Sequence, residues 1–223
     1  TVFGQNYSTI EFIENKGQWD KKVQFTGAVP GGAFFIHQAG FTVLQHNPQD
    51  WQQVQESIHG HEEGKENARK KAITLRSHAY NVQFIGGAAN PKIVADKPLA
   101  TQTNYFIGND PSKWASNCKT YQGITVQEIY PNIDLRYYSS NGQMKYDLIV
   151  KPGADPSKIA LKYDGADKLD IKNNQLVVKT SIGEVKEVSP YTYQYNGKGK
   201  REITTRYKID GNIVRFEVGK YDK

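Results

Sequence analysis

The chain is poor in cysteine and has no long apolar run, and each shortage excludes a class of protein. Cys118 is the single thiol among 223 residues, so an internal disulfide framework and a cysteine-rich metal site are excluded. No run approaches the roughly 18 apolar residues of a membrane-spanning helix. The first four residues, Thr1 to Gly4, lack the charged and apolar segments of an export signal. If the protein is exported, we expect that its signal has already been removed.

Composition and charge favour a soluble globular protein. Hydrophobic residues make up 37% of the chain and charged residues 23%, which is typical of neither disordered nor membrane-embedded chains. The net charge is +6, but the cations are spread along the chain. The densest basic run, residues 65–76, has no interleaved aromatic residues, whereas single-strand nucleic-acid binders stack bases on aromatic rings. We therefore expect no nucleic-acid partner and no membrane insertion.

Strand patterns dominate the sequence. Runs rich in Val, Ile, Tyr, Phe and Thr recur about every 8–12 residues, with Gly, Asn, Asp or Pro between them. Residues 80–85 alternate apolar and polar side chains, as in a strand with one buried face. The pattern predicts an all-β fold. We expect an antiparallel β-sandwich, as one unit or as two packed sandwich-like halves, with one short helical or loop insertion.

One polar segment interrupts this rhythm. Residues 47–77 carry Gln, Glu, His and Lys in place of β-branched residues, so we expect an insertion between two strands. Asp50 is predicted to cap a short helix that runs to Ile58. Residues 60–71 are predicted to form an exposed loop. The whole chain, residues 1–223, is otherwise predicted to form a single module.

Two short helical turns are predicted outside the insertion. Asp110 and Asp155 each precede a proline, and an aspartate followed by proline at the first helical position is a helix-start signal. The segment around the first of these turns, residues 109–120, is also where we expect an internal seam between an N-terminal and a C-terminal sheet system.

Several motifs together resemble one known family, and the resemblance covers nearly the whole chain outside residues 47–77. The family is the N-terminal domain of unknown function of large secreted Bacteroidota proteins. The matching segments are residues 12–19, FIENKGQW; 103–114, TNYFIGNDPSKW; 130–138, YPNIDLRYY; 150–156, VKPGADP; 161–166, LKYDGA; the pair Tyr146 and Asp147; and the closing pair Val218 and Gly219.

The resemblance implies a location and a setting but no activity. In that family the domain precedes β-propeller-type repeats, PKD or other immunoglobulin-like modules, and a C-terminal type IX secretion signal of the kind seen in gliding-motility-associated proteins. It therefore implies export to the cell surface or medium, with other domains of the same large protein as partners. No catalytic residue and no cofactor follow from it.

The residues of these motifs have a structural interpretation. Asn15, Gly17, Gly108 and Gly153 are suited to turns with unusual backbone angles. Large aromatic side chains in the same motifs are suited to filling a sheet interface; they are Trp19, Trp114, Tyr137 and Tyr138.

Neither a metal site nor an active site is predicted. His59 and His61, with Glu62, Glu63 or His78, could hold a transition metal only if the fold brought them together. Asp164, Asp167 and Asp170 lack the spacing of a calcium loop. Paired carboxylates such as Asp134 and Asp147 fit the outer positions of strands, and no nucleophile elbow, phosphate loop or metalloprotease motif occurs.

Two roles remain: a structural or assembly module, or a module that binds carbohydrate or an adhesion ligand. The second would use aromatic rings near predicted turns; the candidates are Trp51, Trp114, Tyr121, Tyr130 and Tyr195. A structural module should expose an apolar patch where its neighbour packs. A polysaccharide-binding module should carry coplanar exposed rings beside polar groups in a groove, and a hydrolase should have a deep pocket with facing carboxylates.

Overall fold

The computed structural model describes residues 9–59, 72–106 and 108–222, with only the backbone of His59. The fold is all-β, as the sequence predicts, and its strands pair antiparallel. In the first part of the chain the elements are β1 Phe12–Glu14, β2 Phe25–Val29, β3 Gly32–His37, β4 Gly40–His46, α1 Pro48–His59, β5 Ser77–Phe84, β6 Lys92–Tyr105, β7 Ala115–Tyr130, β8 Ile133–Ser140 and β9 Gln143–Val150. The remaining strands are β10 Ala160–Asp164, β11 Lys168–Lys172, β12 Gln175–Thr180, β13 Gly183–Glu187, β14 Thr192–Asn196, β15 Gly199–Ile203, β16 Thr205–Asp210 and β17 Ile213–Val218.

Most strands belong to one large sheet. Its order is β16-β17-β10-β5-β4-β3-β2-β1-β7-β8-β9, and β6 also pairs with β7. Strands β11, β12 and β13 form a separate three-stranded sheet, and β14 and β15 form a two-stranded ribbon. Neighbours such as β5 with β10 and β1 with β7 are far apart in sequence, so the sheet joins both halves of the chain.

The large sheet branches at β7, which is 16 residues long. The first half of β7 pairs with β1 through Thr120 and Tyr121, and its second half pairs with β8 from Gly123 onward. The other edge of β7 pairs with β6, and the register of this pairing shifts at two places. This branching allows the sheet to curl, so that residues of β8 and β9 pack on residues of β4 and β5.

Aromatic contacts join the two facing layers. The ring centroid of Phe41 in β4 lies 5.9 Å from that of Tyr137 in β8 and 6.2 Å from that of Tyr146 in β9. Phe84 of β5 meets Tyr146 edge-on at 6.3 Å. Leu176 and Val178 of β12 are part of the same buried cluster. A continuous core therefore lies between the curled sheet and the three-stranded sheet, consistent with the predicted sandwich.

Gly40 permits the close pairing of β4 with β5. A Cβ atom at this position would lie 2.0 Å from the carbonyl oxygen of Val82, well inside van der Waals contact. Any side chain here would separate β4 from β5 in the middle of the sheet.

The predicted helix is present, but its cap differs from the prediction. Asn47 Oδ1 accepts hydrogen bonds from the backbone N–H groups of Gln49 and Asp50, each at 3.1 Å. Asn47 is therefore the N-cap, and the assignment of Asp50 as the cap is wrong. Asp50 accepts instead from Arg76, whose Nε and Nη2 lie 2.7 and 2.9 Å from its carboxylate oxygens. Hydrogen bonds from the Arg76 side chain and backbone lower the pKa of Asp50 to about 2.

Both short capped turns form as predicted. Asp110 Oδ1 accepts from Ser112 N–H at 3.1 Å, and Asp155 Oδ1 accepts from Ser157 N–H at 3.0 Å. The loop predicted at residues 60–71 lies outside the described residues.

Candidate functional site

An exposed row of tyrosines is the most conspicuous surface feature of the described residues. Tyr191, Tyr193 and Tyr195 are 60%, 46% and 71% exposed. Because side chains alternate along a strand, residues two apart project from the same face. We call β14 and β15, together with the adjoining Tyr191 and with Lys200 of β15, the tyrosine ribbon.

The rings of the ribbon are close together but not parallel. The centroids of Tyr191 and Tyr193 are 5.6 Å apart with planes 43° apart, and those of Tyr193 and Tyr195 are 5.7 Å apart with planes 84° apart. Lys200 Nζ lies 4.8 Å from the Tyr191 centroid and 4.2 Å from the Tyr193 centroid, which is cation–π range. A hydrogen bond with Tyr191 is the main cause that raises the pKa of Lys200, and the Tyr191 hydroxyl donates to Glu202 Oε1 at 2.8 Å, so the tyrosine face carries one cation and one carboxylate.

The opposite face of the ribbon is held by the segment that follows β17. Gln194 Nε2 donates to the Asp222 carbonyl at 2.6 Å, and the Asp222 N–H donates back to Gln194 Oε1 at 2.9 Å. Arg201 Nη2 donates to the Lys220 carbonyl at 3.2 Å. The ribbon is thus supported from behind while its tyrosines face solvent.

A polar pocket lies beside the ribbon on the outer face of β7, β8 and β9. Its cavity is about 320 Å³, and it is lined by Thr9, Lys97, Gln122, Arg136, Tyr138, Ser139 and Asp147. Tyr138 lies in the pocket and also interacts with the tyrosine ribbon. Burial is the largest cause that raises the pKa of Tyr138, and electrostatic interactions with Asp147 and with Tyr193 of the ribbon raise it further.

Two of the five candidate aromatic residues, Trp114 and Tyr195, are exposed. Tyr195 belongs to the tyrosine ribbon. Trp114 is 42% exposed, meets Phe106 edge-on at 5.8 Å, and donates from Nε1 to the Gly108 carbonyl at 3.2 Å. Trp114 therefore forms a separate small surface cluster.

Trp51 and Tyr121 are half-buried against other rings. Trp51 stacks on His46 with a centroid distance of 5.0 Å and an interplanar angle of 15°. Tyr121 meets Phe25 edge-on at 5.9 Å. Since one side of each ring is already covered, only part of each ring remains for a ligand.

Tyr130 lacks the exposure that a ligand-binding role would need. Tyr130 is 1% exposed, and its hydroxyl donates to the Ile85 carbonyl at 3.0 Å and accepts from the Ala160 N–H at 3.2 Å. The ring fills the core at the end of β7, and its hydroxyl bonds to the backbone where β5 ends and β10 begins. No ring contact joins any two of the five predicted residues, so they do not form one site.

The sequence interpretation missed Tyr191 and Tyr193, although a signal for them exists. The tyrosines recur at every second position, and the glycines at 197 and 199 mark the hairpin turn. A strand with Tyr at three alternate positions has an aromatic face. Whether that face meets the core or solvent depends on how the ribbon packs.

The other groups considered as candidate ligands or catalysts have structural partners. Among the described residues no three His, Cys, Asp or Glu side chains are placed to hold a metal ion, whereas His61 and the His59 side chain lie outside them. The ring nitrogens of His78 contact Ser181 Oγ at 2.9 Å and the Gly165 carbonyl at 2.7 Å. Asp164 Oδ1 contacts Lys162 Nζ at 3.0 Å.

Cys118, which is buried, and Glu187, which is half-buried, are residue types that also serve in catalysis. Cys118 is fully buried and accepts from Gln18 Nε2 at 3.4 Å; burial raises the pKa of its thiol, which disfavours the nucleophilic thiolate. The Glu187 carboxylate accepts from the hydroxyls of Tyr163 and Tyr146 at 2.7 and 3.2 Å. Both groups fit structural positions.

No described helix is long and apolar enough to cross a membrane.

Comparison with known proteins identifies a family. Neither the curated proteins nor the solved structures include one that matches this chain. A family model does match, over residues 12–223, and its description is "Domain of unknown function (DUF7948)". The match spans nearly the whole chain, so the protein belongs to the DUF7948 family.

Proposed function

We propose that this domain is a non-catalytic assembly module that binds another protein surface through the tyrosine ribbon. The supporting observation is the row of three exposed tyrosines on a hairpin that is held from behind. Tyrosine is enriched at the centres of protein interfaces, because it buries a large ring at a small entropic cost and retains a hydroxyl for hydrogen bonding. An interface here would bury these rings.

The ring orientations favour a protein partner over a polysaccharide chain. A platform that stacks successive sugars needs roughly coplanar rings, whereas the ribbon rings are 43° and 84° apart. Edge-to-face and tilted rings instead present both edges and faces, which suits the irregular surface of a folded protein. We therefore propose a protein partner and keep carbohydrate or adhesion-ligand binding as the alternative role for this ribbon.

The surroundings of the reactive groups support a non-catalytic role. The Cys118 thiol is buried with a raised pKa. Glu187 is enclosed by tyrosine hydroxyls. Asp147, the acid of the polar pocket, accepts a hydrogen bond from Tyr138 at 3.1 Å. None of these arrangements pairs a nucleophile with a general base.

We also propose a setting for the module. The motifs shared with secreted Bacteroidota proteins support export to the cell surface, by type IX secretion in gliding-motility-associated proteins. In that setting the partner of the ribbon is another domain of the same large protein. Lys200 and Glu202 both lie on the tyrosine face of the ribbon, which favours a partner surface with groups of both charges.

Hydrogen–deuterium exchange tests the assembly role. The domain is compared by itself and within the longer natural protein, and we expect slower exchange for residues 191–203 in the longer protein because the partner covers the ribbon. Replacing Tyr193 and Tyr195 with serine should remove most of this protection. The matched control is Ile58→Ser, an exposed apolar residue of α1 outside the ribbon, which should leave the protection intact.

Equal exchange of the ribbon in the two forms would contradict the proposal. So would protection that persists in the double tyrosine variant. If the ribbon exchanged equally fast in both forms and exchange slowed only when a polysaccharide was added, the carbohydrate-binding role would be favoured.

A further inference from the structure

The polar pocket is lined by hydrogen-bonding groups. Leu135 and Tyr137 of β8 are buried, so the alternate residues Arg136 and Tyr138 face outward into the pocket. Each of the seven lining side chains carries a donor or an acceptor. A cavity of about 320 Å³ is close to the lower end of the size range of small-molecule sites. The pocket therefore suits a small ligand bound by hydrogen bonds rather than an apolar one.

Arg136 is held in position before any ligand arrives. Its Nη2 donates to Asp96 Oδ2 at 2.8 Å across strand β7. Gly123 leaves room for this ion pair, because a Cβ at 123 would lie 2.5 Å from Asp96 Oδ1 and 3.0 Å from Arg136 Nη2. Among the described residues, the buried Nε of Arg136 has no acceptor. The guanidinium is thus oriented by the protein, with its Nε shielded from solvent.

Lys97 reaches the same pocket from an unusual backbone conformation. Its φ is +49°, a value that non-glycine residues rarely adopt and that is associated with functional sites. Pro98 follows and has no N–H to pair with β7. Lys97 is exposed, and its ammonium forms no ion pair within the described part of the chain. The distorted strand therefore places a second, unneutralised cation at the pocket.

Asp147 supplies the complementary acceptor. Tyr138 donates to Asp147 Oδ1 at 3.1 Å, which leaves Oδ2 available to accept from ligand hydroxyls. The Tyr138 ring and the Gln122 amide lie beside it in the lining. The pocket thus combines two cations with one carboxylate.

We propose that the polar pocket binds an acidic sugar of the hexuronic acid class. Its carboxylate would pair with Lys97 and Arg136, and its ring hydroxyls would donate to Asp147. A neutral sugar would leave Lys97 without an anionic partner, and a simple carboxylate would leave Asp147 Oδ2 without a donor. This inference rests on the pocket and is independent of the protein-binding role of the ribbon.

Isothermal titration calorimetry with D-glucuronate tests the proposal, with D-glucose and acetate as comparison ligands. We expect saturable glucuronate binding with a Kd on the order of 1 mM, and binding at least about tenfold weaker for glucose and for acetate. Chemical-shift changes on adding glucuronate should concentrate at the lining residues of β6, β7, β8 and β9.

Variants separate the pocket from the rest of the surface. Lys97→Gln keeps an unbranched polar side chain, one atom shorter, but removes the charge, and should weaken glucuronate binding at least about fivefold, close to 1 kcal/mol. Lys208→Gln, an exposed lysine of β16, is the matched control and should have no effect. Tyr195→Ser alters the ribbon and should also leave glucuronate binding unchanged, so the two proposals fail or succeed separately.

Three results would overturn the inference. The first is no saturable binding of glucuronate by the folded chain. The second is acetate binding as tight as glucuronate binding, which would indicate a simple anion site. The third is equal glucuronate binding by wild type and a Lys97→Gln variant with an unchanged circular dichroism spectrum.

Discussion

Asn15 organises the loop between β1 and β2 with both ends of its side-chain amide. Nδ2 donates to the carbonyl oxygens of Asp20 and Val23 at 2.9 and 2.8 Å, and Oδ1 accepts from Gly17 N–H at 2.9 Å. Weaker contacts join the same amide to Trp19. The first motif shared with the family, residues 12–19, therefore closes a loop, which agrees with its structural interpretation.

Replacing Asn15 with alanine should lower the free energy of unfolding by about 2–3 kcal/mol, since three hydrogen bonds are lost at about 1 kcal/mol each. Asn15→Asp should also be destabilising, because a carboxylate cannot donate to the two carbonyls. Urea denaturation measures both changes. Asn90→Ala, at an exposed asparagine, is the control, and an Asn15→Ala variant as stable as this control would contradict the prediction.

At the scale of elements, the end of β13 is bound to the large sheet by tyrosine hydroxyls. Glu187 accepts from Tyr163 of β10 and Tyr146 of β9, and the Val188 carbonyl accepts from Tyr207 of β16 at 3.0 Å. Tyr80 of β5 also faces this carboxylate. Burial raises the pKa of Glu187 above its ordinary value of 4.5, although the hydrogen bonds from the two tyrosines act in the opposite direction. The surrounding groups are neutral phenols with raised pKa values.

The raised pKa sets the sign of the pH dependence. The ordinary pKa of Glu187, 4.5, applies to the unfolded chain. At pH values between 4.5 and the higher pKa of the folded state, the native state binds more protons than the unfolded state. The contribution of Glu187 to the free energy of unfolding is therefore fully present below 4.5 and is lost as the pH rises through the folded pKa. Each unit of upward shift corresponds to about 1.4 kcal/mol.

Glu187→Gln should remove this dependence, because the amide stays neutral and can still bond to both tyrosines. We expect the variant to gain stability relative to wild type as the pH rises from 4 to 8. Thermal unfolding across this range measures the difference. The control is Glu184→Gln, at an exposed position on the same strand, and its stability relative to wild type should change little with pH. A Glu187→Gln variant whose stability relative to wild type is the same at every pH would contradict the assignment.

At the scale of the whole molecule, one hydrophobic cluster joins the two ends of the described chain. It includes Phe12 of β1 and Val214 of β17, together with residues of β4, β5, β8, β9, β10 and β12. Strand β10 pairs with both β5 and β17. The proposed seam at residues 109–120 stays a prediction, and this continuous core argues for a single cooperative unit.

We therefore expect one unfolding transition, with calorimetric and van 't Hoff enthalpies that agree, as for a two-state domain. Differential scanning calorimetry tests this directly. Two separated transitions, with one removed by a core substitution such as Leu135→Ala and the other unaffected, would show that the halves unfold independently.

The sequence alone determined the features that depend on local chemistry. Apolar alternation and turn residues predicted the all-β class, and the aspartate–proline pairs predicted both capped turns. The helix in the polar insertion was also predicted, although its cap was misassigned because Asn47 and Asp50 are both good capping residues. These features follow from backbone angles and hydrogen bonds between residues a few positions apart.

Only the tertiary structure decided which aromatic rings face solvent and which distant groups meet. Tyr130 and Tyr195 both lie near turns, yet one fills the core and the other is exposed, because the second layer of the sandwich covers only one of them. The Asp96–Arg136 pair and the tyrosines around Glu187 are brought together by strand pairings between distant parts of the chain. Local periodicity encodes where a strand lies and which residues share a face, whereas long-range packing determines what covers that face.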